Sequence, residues 1–120
     1  MLQVAEIVLI PFPFTDLTAQ KKRPILVISE VDENNDFIAL AITSKQKENN
    51  VVHLTNQQLI AGSLPKESWI RTDKVFTFNT SLVLFSLAVA NSKIVEQALQ
   101  QLCARVKYKN DIKHQTYPMN

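Results

Sequence analysis

Three clusters of side chains carry the types and spacing that chemistry on a phosphodiester would need. The first is Lys21-Lys22-Arg23-Pro24. Here a basic run ends a polar stretch and a proline fixes the chain direction into an apolar strand, so Arg23 is held stiffly and its planar fork suits a two-point grip on phosphate. The second is Thr43-Ser44-Lys45, two hydroxyls and an ammonium at the end of an apolar run, able to donate to phosphate or ribose oxygens or simply to shape a turn. The third is Trp69-Ile70-Arg71-Thr72-Asp73-Lys74. On a strand alternate side chains share a face, so Trp69, Arg71 and Asp73 project together while Ile70 and Thr72 point the other way. That face offers a ring for stacking a base, a cation for phosphate and a carboxylate for proton transfer; it equally describes an ion pair beside a packed tryptophan.

The elements that must position these groups are mostly β. Val4 to Phe12 reads as a strand rich in β-branched and aromatic residues, closed by Pro11 and Pro13. Thr15 to Lys22 reads as a loop. Pro24 to Val31 and Phe37 to Thr43 are continuous apolar runs of strand length separated by the turn-forming Asp32 to Asp36, the pattern of a hairpin. Val51 to Thr55 is a shorter strand, Gln57 to Ala61 a helical turn, and Gly62 to Ser68 a loop with Pro65. Trp69 to Phe78 resumes β character, and Ser81 to Val89 supplies the final strand. After Asn91 the period changes: Ile94, Val95, Ala98, Leu99, Leu102 and Val106 recur every three or four residues with Ser92 placed to cap, which predicts an amphipathic helix packed on the sheet. Five or six short strands and one helix imply a small, strongly curved antiparallel sheet or barrel whose opening the helix covers. The fold class is therefore mainly β with a C-terminal helix, in one domain over residues 1–108, followed by a polar tail over 109–120.

Composition is consistent with this. A chain of 120 residues, 46% of them hydrophobic, can bury a core without metals or disulfides. The single cysteine, Cys103, reads as a buried thiol on the helix in a reducing compartment. No stretch has the length of a membrane span or the pattern of a signal peptide, which predicts a cytoplasmic protein. A net charge of +2 is too small to argue for nucleic acid by itself. The distribution is more informative, since acids gather at Glu30, Asp32, Glu33 and Asp36 while lysines and arginines recur at strand ends, where a fold could assemble a basic groove.

Taken together, Glu6 to Asp16 (EIVLIPFPFTD), Arg23 to Ser29 (RPILVIS), Thr43-Ser44 and Ser68 to Lys74 (SWIRTDK) resemble, in order and spacing, the PemK/MazF family of type II toxins. The resemblance implies an SH3-like small β-barrel, shared with CcdB-like toxins. It also implies a homodimer that cleaves single-stranded RNA without a metal or other cofactor and is silenced by a cognate antitoxin. By the same resemblance Arg23 grips the scissile phosphate, Thr43 and Ser44 form a hydroxyl pair at the RNA site, and Arg71 and Asp73 serve phosphate stabilisation and proton transfer. Lys22, Ser44, Lys45, Trp69 and Lys74 complete the expected RNA-binding set. Two departures stand out: a glycine usual before Glu6 is Ala5, and one usual near Ala88 is absent. His53 and His114 match no family motif. Two alternatives are a toxin of the same fold aimed at a protein such as DNA gyrase, which needs an aromatic, apolar C-terminus where this chain ends Tyr117-Pro118-Met119-Asn120, and a catalytically silent binding barrel. Which residue acts as base stays open between these readings.

Overall fold

The computed structural model describes residues 1–12 and 21–106. The expected loop between the first two strands, the polar tail, His114 and the C-terminal residues therefore lie almost wholly outside the described residues. Among the described residues seven strands precede one helix: β1 (Glu6–Phe12), β2 (Lys21–Val27), β3 (Asp36–Thr43), β4 (Val51–Leu54), β5 (Leu59–Gly62), β6 (Ser68–Asn79), β7 (Phe85–Ala90) and α1 (Ser92–Val106). They form one antiparallel sheet in the order β4-β6-β3-β2-β1-β7-β5, curled into an open barrel.

The continuous apolar runs have a simple cause: both faces of the central strands are buried. Ile7, Leu26, Leu40 and Ile42 point to one core with Val52, Ile70 and the helix residues Ile94, Val95 and Ala98. Their chain neighbours Val8, Ile10, Ile25, Val27, Phe37 and Ala39 point to a second core with Phe78. Each fully buried Ile or Leu contributes roughly 1.5–3 kcal/mol, so a polar substitution at any of these positions would open the sheet.

Several expectations are corrected. The stretch expected as one helical turn over Gln57 to Ala61 divides: Thr55 and Gln58 close a reciprocal capping box around a 3₁₀ turn at Asn56–Gln58, and Leu59–Gly62 then pairs with β7 as a seventh strand. Helix α1 is capped by Asn91 rather than Ser92, because Asn91 Oδ1 accepts from Ile94 N at 2.8 Å. Cys103 is exposed, not buried, because it lies to one side of the apolar stripe, which packs on the core as far as Leu102, and Val106 at the helix end is also exposed. β2 begins at Lys21, before Pro24; that proline pairs with Leu9 on β1, while pairing to β3 starts only at Ile25, so its missing N–H falls where β2 has a neighbour on one side.

The two glycine departures have distinct structural meanings. Ala5 adopts φ +84°, a left-handed backbone conformation that costs an L-residue about 1–2 kcal/mol, so a conformation suited to glycine is kept without glycine. The close approach at Ala88 is provided from the facing strand. Gly62 pairs with Ala88, and a Cβ on it would meet Leu87 O at 2.1 Å. Among the described residues no helix is long and apolar enough to cross a membrane.

Candidate nucleic-acid interface

The candidate site arises where the second core face runs out of apolar residues. Along β2 the face carrying Val27 and Ile25 continues to Arg23; along β3 the face carrying Phe37, Ala39 and Ala41 continues to Thr43. Because β2 and β3 pair only from Ile25↔Ala41 inward, Arg23 and Thr43 stand at the open ends of the two strands. They line a cavity of about 260 Å³ together with Arg71, Lys74 and the rings of Phe12 and Phe76.

The third wall depends on a register break in β6. Ile42 faces Ile70 and Leu40 faces Val75, so residues 71–74 stand against Ala41 alone. Such a bulge re-aims side chains that a regular ladder would alternate across the sheet. It is braced on the far side, where Thr72 N donates to Asn50 O at 3.0 Å and Val51 pairs with Arg71. It is also pinned from behind, because the buried Thr72 hydroxyl donates to Gln101 Oε1 on α1 and Gln101 Nε2 donates to Val51 O at 3.2 Å. Helix α1 thus holds the strand segment from which Arg71 and Lys74 reach the cavity.

Arg71 and Asp73 form a two-point ion pair: Nε donates to Oδ1 at 3.1 Å and Nη2 to Oδ2 at 2.8 Å. The bonds from Arg71 hold the Asp73 carboxyl below its ordinary value of 3.8, partial burial opposing them and the nearby charges of Arg71 and Lys47 adding to them. At neutral pH Asp73 is an anion with both oxygens engaged, and it does not itself line the cavity.

Of the other residues singled out in sequence, Lys22 and Ser44 line a neighbouring concavity of about 430 Å³, which also takes in Lys21, Lys66 and Arg23. Arg23 therefore lies between two basic hollows. Trp69 sits directly across from Thr43 on β6 and faces a different hollow, its ring stacked on His53 at a centroid distance of 5.3 Å. Lys45 is exposed beside Thr43, and its N–H donates to the Thr43 hydroxyl at 3.1 Å. Two larger concavities at the other end of the sheet are lined by Met1, Leu2, Val31 and Asn35 with the acids Glu6, Glu30 and Asp32, and by no lysine or arginine among the described residues. They lack the charge to hold a phosphate.

Sequence reasoning passed over Phe12 and Phe76, whose rings meet edge to face at 5.2 Å, as ordinary strand residues. It also set aside His53, which Glu67 holds by a 2.5 Å hydrogen bond. Alternation with the buried Phe78 was the available signal for Phe76; His53 gave none, because its contacts come from a different strand and a distant loop.

A curled antiparallel sheet with a C-terminal helix and a cationic, aromatic-floored cavity at its mouth defines a small SH3-like barrel suited to an anionic chain. A family profile for the PemK-like, MazF-like toxin of type II toxin-antitoxin systems matches residues 3–106, and the chain belongs to that family. The solved structures it resembles include the MazE-MazF complex of Deinococcus radiodurans, at 18% identity over 86% of this chain and 94% of that one, with a TM-score of 0.69. A mycobacterial endoribonuclease in complex with its cognate antitoxin matches at 10% identity over 91% and 100% of the two chains, TM-score 0.64. The Mycobacterium tuberculosis toxin MazF-mt6 matches at 13% identity over 86% and 99%, TM-score 0.66. At these identities the likeness establishes the fold. No curated protein sequence is significantly similar to this chain.

Proposed function

We propose that this toxin is an endoribonuclease that cuts single-stranded RNA in the cytoplasm by attack of a ribose 2'-hydroxyl on the adjacent phosphodiester, with no metal in the reaction. The observation that carries this reading is the convergence of Arg23, Arg71 and Lys74 with the Thr43 hydroxyl on one cavity. Attack by the 2'-oxygen, whose proton passes to water, forms a P–O bond, places extra charge on the phosphorane oxygens and expels the 5'-oxygen, which takes up a proton from water as a 5'-hydroxyl, leaving a 2',3'-cyclic phosphate. Fixed guanidinium groups stabilise that developing charge without reorganisation. Arg23 and Arg71 clamp the phosphate, Thr43 hydrogen-bonds it, and the rings of Phe12 and Phe76 give an unpaired base a face to pack on. Asp73 is a positioning residue: it holds Arg71 in the orientation that presents the guanidinium to the cavity.

The resemblance to structures of MazE-MazF and of an endoribonuclease with its cognate antitoxin supports an antitoxin partner for this chain as well. An acidic segment of that partner would occupy the basic hollows on either side of Arg23. Leu84 and Phe85, 46% and 53% exposed in the single chain, support a homodimer that covers them; a monomer in light scattering at micromolar concentration would contradict it.

The test is incubation with a long single-stranded RNA in excess EDTA, with product ends read by mass spectrometry. Cyclic phosphate and 5'-hydroxyl ends are expected. Arg23→Ala should lose about 100- to 1000-fold in single-turnover rate, the usual cost of a preorganised charge-stabilising contact, and Arg23→Lys should not restore it, since an ammonium lacks the fork. Intact RNA with the folded wild-type protein, or a normal rate for folded Arg23→Ala, overturns the assignment.

A further inference from the structure

Beside the cationic cavity lies a second arrangement that phosphate chemistry does not use. His53, Trp69 and Thr43 are directly opposite one another across β4, β6 and β3, so their side chains share the face that also carries Arg71. The neighbours Val52, Ile70 and Ile42 take the buried face instead. Thr43 is a wall of the cavity, and His53 stands two strand spacings away, about 10 Å.

The ring planes of His53 and Trp69 are 27° apart at 5.3 Å. His53 Nε2 donates to Glu67 Oε2 at 2.5 Å, which fixes the imidazole in the stack although His53 and Glu67 are 52% and 57% exposed. An aromatic pair already stacked and held by a carboxylate in the free protein is a partly preformed platform, so less of its ordering cost falls on binding. The hollow over it, about 430 Å³, is rimmed by Glu67 and Glu48 together with Gln46 and Lys47.

We infer that the His53–Trp69 stack is a base-reading subsite. It holds one unpaired nucleobase of the RNA, next to the nucleotide whose phosphate sits between Arg23 and Arg71, and it favours bases with an exocyclic amino group, such as cytosine and adenine, over uracil, which has none. Stacking supplies sequence-tolerant affinity. Selection comes from the rim. A carboxylate accepts several hydrogen bonds, so Glu67 can take an amino hydrogen on its second oxygen while retaining His53, as acidic side chains do with the cytosine amino group. Uracil presents its O4 carbonyl where cytosine presents the amino group, an oxygen that Glu67 cannot accept a hydrogen bond from. The subsite rests on the RNA reading of the neighbouring cavity.

The chain has one tryptophan, so its emission reports on this platform directly. The experiment titrates the full-length protein with 2'-O-methyl oligomers of cytidine, adenosine or uridine, which cannot be cut. Trp69 fluorescence is followed alongside the anisotropy of the same oligomers carrying an end label. The cytidine and adenosine oligomers are expected to quench Trp69 and bind about 10-fold more tightly than the uridine oligomer. Glu67→Gln should bring the three within about twofold, and His53→Ala should weaken all of them several-fold while leaving the circular dichroism unchanged. Oligomers that bind by anisotropy without altering Trp69 emission, or uridine bound as tightly as cytidine by the wild type, would overturn the subsite. Cleavage in EDTA without quenching would sink the subsite and leave the ribonuclease; base-selective quenching without cleavage would do the reverse. No binding of any oligomer would refute the subsite outright.

Discussion

Replacing Asp73 by Asn separates a positioning carboxylate from a proton acceptor. Asn matches Asp in shape but offers one acceptor oxygen to a guanidinium that now uses two, at 3.1 and 2.8 Å. A net charge-assisted hydrogen bond contributes about 1.5–3 kcal/mol. The pair is partly open to solvent, with side-chain exposures of 28% and 15%, so the lower end applies. A loss of about 1.5 kcal/mol in transition-state stabilisation is roughly a tenfold fall in rate. A general base would instead contribute about 100- to 10,000-fold, and its removal would erase the acid limb of the pH–rate profile. The assay is single-turnover cleavage of one oligonucleotide by wild type, Asp73→Asn, Arg71→Ala and the double variant. Acting only through Arg71, Asp73→Asn should cost nothing further once Arg71 is gone. A loss beyond about 100-fold that persists in the Arg71→Ala background would refute the positioning role and make Asp73 the base.

The same ion pair governs behaviour in acid. Because the folded-state pKa of Asp73 lies below 3.8, its stabilisation is fully present above that value and fades as pH falls through the folded value; urea melts of wild type and Asp73→Asn should therefore differ at pH 6, and the difference should shrink progressively once the pH is taken below 3.8. Ala5→Gly should relieve the left-handed backbone at φ +84° and raise stability by about 1 kcal/mol, or about 5 °C in Tm, after allowing for the entropy glycine adds to the unfolded chain; an unchanged or lower Tm would show that the turn tolerates alanine without strain. Gly62→Ala should lower stability by about 3 kcal/mol or more, since its Cβ would collide with Leu87 O at 2.1 Å and its φ of +70° disfavours any side chain; calorimetry showing a shift of only a degree or two would contradict the close approach.

How far this architecture could be read from the chain depended on the range of the interactions. β1, β3, β6 and α1 were legible because their periodicity is local: apolar runs, the 68–72 alternation, and the helical spacing from Ile94 onward. β5 was not, because Leu59–Gly62 is a short strand whose ladder partner among the described residues lies nearly thirty residues away. Cys103 was misread because apolar neighbours along the chain do not decide burial on a helix: it lies beside the stripe that runs through Leu99 and Leu102 and so faces away from the core. The pairing of Arg71 with Asp73 followed from alternation, yet which of these residues reach the cavity was set by the bulge, and a register break leaves no trace in a strand's own residue types.

The bulge at residues 71–74 also bears on how such a protein diversifies. Substitutions within a regular ladder must satisfy a partner strand at every position, so changes at a recognition surface and changes in the scaffold are entangled. Here the segment facing Ala41 is released from the β3 ladder and secured at Thr72, through Asn50 on one side and Gln101 on the other. Drift can then alter residue types on this segment, and with them the shape and charge of the cavity wall, while the anchoring threonine and the two cores stay as they are.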